Sequence, residues 1–143
     1  MKYLTSLLLT LTTIAAMPQT KANDITGKWI NEEGTAHFEI YKTTDGYSAK
    51  IIWLQNPKTD KDEAKIDKNN PDKSLRTRPV MNMAIITGLT YSSEKNCWIS
   101  GTIYSPEKGI YADCKVSVSA ENELKITASK HLLTTTKKWK RYE

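Results

Sequence analysis

From Ile25 onward, apolar and polar residues trade places with a period of two, and the helical period of 3.6 is almost absent. This alternation constrains the chain more than any other feature. Successive side chains of a strand point to opposite faces, so alternation means a strand with one buried face. Residues 35–42 show it plainly: Ala36, Phe38 and Ile40 fall on one side, His37, Glu39 and Tyr41 on the other. Similar runs occupy residues 25–31, 47–55, 80–91, 97–104, 109–119, 124–129 and 134–142. In the third run, Tyr47, Ala49, Ile51 and Trp53 are expected to share a face.

Turn residues separate most of the runs. Glu32-Glu33-Gly34, Thr44-Asp45-Gly46 and Ser105-Pro106-Glu107-Lys108 are short enough for hairpins. About eight strands joined mostly by short turns predict an all-β, up-and-down antiparallel meander. Eight strands also suit closure into a small barrel, which removes exposed sheet edges. A barrel of that size holds its own side chains or one small ligand. The exception to the short turns is residues 56–79, a polar stretch with three prolines and many Lys and Asp. A loop that long in a small domain is a functional element or a flexible one.

The first 22 residues read differently. Met1-Lys2 precedes an apolar run over residues 4–16, too short to span a bilayer but the length of a signal-peptide core. Thr20-Lys21-Ala22 places small residues at the −3 and −1 positions of a cleavage site, and Ala16 is the alternative cut. No Cys is placed after the run for a lipid anchor. The expectation is a signal peptide at 1–22 and one domain at 23–143, periplasmic or secreted, with no stable membrane insertion.

Removing that segment takes away Lys2 and Lys21 and no acid, so the formal charge falls from +5 to +3. The basic residues are mostly Lys interleaved with Asp and Glu, as in residues 58–65, rather than a clustered stripe. The densest group, Lys137-Lys138-Trp139-Lys140-Arg141, alternates as an outward strand face does. No nucleic-acid partner is expected.

Cys97 and Cys114 are the two cysteines, and an exported protein meets an oxidising compartment. If Tyr104 pairs with Ile110, Cys97 faces Ser117 and stands about three residues, roughly 10 Å, out of step with Cys114. That is too far for a disulfide unless a bulge at Gly101 shortens the offset. Both a disulfide and two buried free thiols stay open. Two cysteines and the distant His37 and His131 lack metal-ligand spacing, so no metal and no cofactor is expected. Neither histidine has a signature Ser or Cys partner, and no Gly-rich phosphate loop occurs, so no catalytic residue and no enzymatic activity are expected.

Four motifs then stand out: Gly27-Lys28-Trp29; the loop from Asp67 through Asn69, Asn70 and Asp72 to Leu75-Arg76-Thr77-Arg78-Pro79; Trp98 through Gly101, Ile103-Tyr104, Pro106 and Gly109 to Tyr111; and Trp139-Lys140-Arg141. Together they resemble an uncharacterised family of exported bacterial proteins, domain of unknown function 2147, over residues 25–143. One departure is Asn82, where such sequences usually place Gly; Asn also tolerates positive φ. The resemblance implies a lipocalin-like barrel and no established activity. It also implies that Trp29 and Arg141 meet, guanidinium over indole, where first and last strands close.

Only three Arg occur, and Arg76 and Arg78 lie two apart in the longest loop. Arg favours bidentate contact with carboxylate or phosphate. Either they meet an anion at the barrel mouth, or one pairs internally with Asp67 or Asp72 and pins the loop. Asp67, Asn69 and Asp72 have the wrong spacing for an EF-hand calcium loop. Trp98, Tyr104 and Tyr111 suit cross-strand packing, while Tyr104 and Tyr111 also suit a barrel rim. The function expected is binding of a small apolar or amphipathic ligand through Trp53, Arg76, Arg78, Tyr91, Tyr104 and Tyr111. The alternative is an envelope protein-interaction module whose barrel is filled by its own side chains.

Overall fold

Among the described residues eight strands form, close to the eight alternating runs: β1 (Gly27–Asn31), β2 (Ala36–Lys42), β3 (Tyr47–Leu54), β4 (Ala84–Ser92), β5 (Cys97–Ser105), β6 (Ile110–Ala120), β7 (Glu123–Lys130) and β8 (Leu133–Arg141). The structure is a computed structural model that describes residues 21, 22 and 24–142. The export segment read from the sequence lies outside the described residues except for Lys21 and Ala22. Each strand pairs antiparallel with the next, and β8 returns to β1, giving one closed barrel.

The largest boundary difference is at β4. The apolar run begins at Val80, but the strand begins at Ala84. Asn82 adopts φ +63°, the left-handed conformation that its short polar side chain tolerates, and turns the chain there. Residues 80–83 are nevertheless tied to β3, since Asn82 N–H donates to Ile51 O at 2.9 Å and Ile51 N–H donates to Met83 O at 3.0 Å.

Aromatic side chains occupy much of the interior. Trp29 and Trp98 are fully buried, and Phe38 stacks on Trp139 with centroids 4.1 Å apart and planes 3° from parallel. Ile40, Leu89, Val116 and Leu124 pack around them, also fully buried.

Trp53 does not join Tyr47, Ala49 and Ile51, contrary to the reading of the third run. A β-bulge shifts the register of β2 against β3: Phe38 faces Ile51, but His37 faces Trp53. The extra residue, Ile52, reverses the facing of Trp53 and Leu54. Trp53 is therefore 41% exposed on the outer wall, 4.6 Å from the His37 ring, which lies 4.1 Å from Tyr142.

The β5–β6 register also differs by one residue from the assumed pairing. Tyr104 faces Tyr111, Ser105 faces Ile110, and a shift lies between Trp98 and Gly101. Cys114 faces Gly101, Cys97 faces Ser92, and both thiols are free and buried.

One end of the barrel is closed by residues preceding β1. Ile25 is fully buried and accepts a 2.8 Å hydrogen bond from Trp29 Nε1 on its carbonyl; the Ala22 carbonyl accepts one of 2.9 Å from Trp98 Nε1. At this end Arg141 lies over Trp29, 4.2 Å from the indole centroid, and donates to Thr26 O (3.0 Å) and Asp24 O (2.7 Å). Gly27, at φ +119°, leaves room for that guanidinium: a Cβ there would stand 2.8 Å from Arg141 Nη1. The expected closure contact is thus present. The opposite end carries the long β3–β4 loop, the β5–β6 turn and the β7–β8 turn.

Candidate functional site

At this second end a pocket of about 510 Å³ opens between β3, the long loop and the β5–β6 turn. Ile51 and Leu54 of β3 supply one wall, Ile66 and Val80 of the loop another, and Pro106 of the turn a third. The bulge that sends Trp53 outward is what leaves Leu54 facing Ala36 on the inward side. Lys65 and Lys68 line the same space, opposed by Glu107. The volume falls within the range of small-molecule sites, and a mostly apolar lining with a few charged groups is the usual composition of such sites.

The loop forming this wall is held by its own polar residues. Asp67 is fully buried, and its carboxylate gathers three donors. Arg78 Nε donates to Oδ2 at 2.9 Å, Asn70 Nδ2 to Oδ2 at 2.7 Å, and Tyr104 Oη to Oδ1 at 2.5 Å. A buried carboxylate needs such partners, because leaving it unpaired costs several kcal/mol. Arg78 also lies over the Tyr104 ring, 5.7 Å from its centroid. Burial above all, and then the hydrogen bond to Asp67, push the Tyr104 hydroxyl up to about 12. Arg76 Nε donates to Asn70 O at 2.7 Å, and Asp72 caps the short 3₁₀ turn Lys73–Leu75 by accepting from Ser74 N–H at 2.9 Å. Hydrogen bonds from the Ser74 hydroxyl and N–H hold the Asp72 carboxyl below its ordinary range.

A second attachment joins the loop to the β5–β6 turn. Asn69 Nδ2 donates to Glu107 O at 2.7 Å. Gly109, at φ +65°, lies so close to the loop that a Cβ there would stand 1.9 Å from Asn69 O. The glycine in this motif serves a close backbone approach as well as a turn.

Of the six residues expected to bind ligand, Arg76, Arg78, Tyr104 and Tyr111 come together at the loop. Of this group Arg78 and Tyr104 are committed to Asp67; the Arg78–Asp67 pair is one of the internal pairings weighed from the sequence. Tyr104 and Tyr111 face each other with ring centroids 4.4 Å apart. Alternation from Gly101, whose Cβ position abuts buried Leu89, puts both on the outer wall, where the loop covers Tyr104 and leaves Tyr111 40% exposed. Trp53 stands apart on the outer wall. Tyr91 lies toward the closed end, opposite Trp98, with its hydroxyl 3.1 Å from Asn96 Oδ1. None of the six lines the 510 Å³ pocket. Its apolar walls were not singled out by the sequence; the available signal was Ile66, an apolar residue in a lysine-rich loop. Asp67, Asn69 and Asp72 turn to separate partners, so they do not converge as a calcium loop would.

A family model described as an uncharacterised protein conserved in bacteria, domain of unknown function 2147, matches residues 27–141. A solved structure from the human pathogen Helicobacter pylori, described as a protein belonging to the lipocalin family, is similar with a TM-score of 0.71 and 21% identity, over 84% of each chain. At that identity the likeness concerns the fold. No protein of curated function matches this chain. Residues Gly27 to Arg141 carry both the family match and the closure contact, and the chain belongs to the bacterial family of domain of unknown function 2147, on a lipocalin-like barrel.

Proposed function

We propose that this protein is an exported, non-catalytic barrel that holds a small apolar or amphipathic ligand at its mouth. The observation that carries the reading is the 510 Å³ pocket walled by Ile51, Leu54, Ile66, Val80 and Pro106. Lys65 and Lys68, only half offset by Glu107, favour an amphipathic molecule with an acidic head over a purely apolar one. The lipocalin-like architecture supports a ligand role by analogy of fold, and the apolar run at residues 4–16 supports export.

One observation favours a second reading, a protein-interaction module. Trp29, Trp98, Phe38 and Trp139 fill the lower barrel, so ligand space lies at the mouth rather than deep inside. Native mass spectrometry of protein purified from its own envelope separates the two. The carrier reading expects a co-purifying small molecule that is lost in an Ile66→Asp variant. A clean apo mass with a co-purifying protein would overturn it.

A further inference from the structure

We propose that the β7–β8 hairpin is a docking arm that seats the mouth of the barrel reversibly on an anionic lipid surface. Its tip carries Leu132 and Leu133, 101% and 78% exposed. Among the described residues the other exposed large apolar side chains reach at most 44%. The tip also outruns its support on one side: β1 ends at Asn31, opposite Trp139, so Leu133 to Lys138 pair with β7 and have no β1 partner.

Charge is concentrated on the same element. Residues 125–138, short of Lys140 and Arg141 at the closed end, hold four lysines and no acid, a formal +4. The register makes this density sharper than the sequence order does, because Lys125 stands directly opposite Lys138. Like charges facing across a sheet are unfavourable, and nearby anionic phosphate would relieve them. Glu123 lies 3.2 Å from Lys138, and Glu33 lies 2.8 Å from Lys137. Lys125 and Lys130 have no carboxylate partner among the described residues.

The arm belongs to the mouth end. Lys130 and His131 line an outer groove together with Tyr111, next in sequence to the half-exposed Ile110. Two leucines on a convex turn, flanked by Lys130 and His131 on one side and three threonines on the other, are too small a surface for a stable protein interface, which takes about 800 Å² per partner. They suit a bilayer interface, where apolar side chains enter below the headgroups and lysines meet the phosphates. The arm stands on its own observations; only its purpose, loading an amphipathic ligand from the bilayer, rests on the function proposed above.

The test is co-sedimentation of the purified protein with phosphatidylethanolamine–phosphatidylglycerol vesicles, against vesicles of phosphatidylcholine alone. The expected result is binding to the anionic vesicles that weakens with salt. A Leu132→Ser, Leu133→Ser variant should bind about tenfold more weakly or worse, with unchanged melting, since both side chains are already exposed. Lys125→Gln with Lys130→Gln should weaken binding and flatten its salt dependence. Ile66→Asp, which disables the pocket, should leave vesicle binding intact. The proposal is overturned if the wild type ignores anionic vesicles or if the leucine variant binds equally well. It is also overturned if Ile66→Asp abolishes binding, or if the leucines instead hold together an oligomer that the double variant dissolves.

Discussion

Arg141 joins three backbone and ring partners that come from the start of the chain: the Trp29 indole, Thr26 O and Asp24 O. Replacing it with Ala removes a cation–π contact and two charge-assisted hydrogen bonds, about 2–3 kcal/mol together. For a domain of this size that lowers the melting temperature by about 8–12 °C. Ligand retention should persist, because the contact lies at the end opposite the pocket; loss of ligand without a shift in melting would contradict the structural role. Tyr104 gives a different signature. It keeps its proton to about 12, while an unfolded tyrosine loses it near 10. Between those values the unfolded state binds fewer protons, so stability falls as pH rises through that window. Burial pushes the Cys114 thiol to about 12 as well, from 9.0, and starts the same decline earlier. Urea unfolding across this alkaline range should show a shallower decline above pH 10 in Tyr104→Phe, and a shallower one from pH 9 in Cys114→Ala.

The long loop is an element held at two points, and each can be released separately. Gly109→Ala forces a side chain into Asn69 O and should detach the loop from the β5–β6 turn, exposing residues 56–80 to limited proteolysis while the barrel stays folded. Arg78→Ala leaves the Asp67 carboxylate buried with one donor fewer. Because the Arg78 side chain is 35% exposed, the expected cost is about 2–3 kcal/mol, below that of a fully buried pair. Denaturant melts of the variant against wild type would measure it. Much of this element is legible in the sequence. Two arginines beside Pro79, near several acids, point to a pinned loop, and Arg78 with Asp67 is one such pairing. Less legible is the third partner, Tyr104, because which face of β5 the loop covers depends on long-range packing. Trp53 is misplaced by its sequence pattern for a related reason. Its alternation with Ile51 is regular, but a single-residue bulge inverts facing without leaving a compositional mark.

At the scale of the molecule, the strand count, the order of hairpins and the closure of β8 on β1 can all be read from alternation and turns. Those signals are local, and an antiparallel meander is built from local pairings. The pocket is harder to read, because its walls come from β3, the loop and the β5–β6 turn, which only the closed barrel brings together. This division also explains why the six expected contact residues split between the closed end, the outer wall and the loop.

The closure of the barrel has a kinetic side. Arg141 and the Asp24 carbonyl it binds are 117 residues apart in sequence. Every other strand pair can form as soon as one hairpin is complete, but β1 must wait for β8. Loop-closure entropy therefore falls on the last step, the one non-local pairing of an otherwise local meander. A chain still emerging from a ribosome or threading a pore, with its final strand not yet free, has no means to seal. Its early strands remain an open meander until the last residues arrive, so a chain of this design stays threadable for as long as its C-terminus is held back.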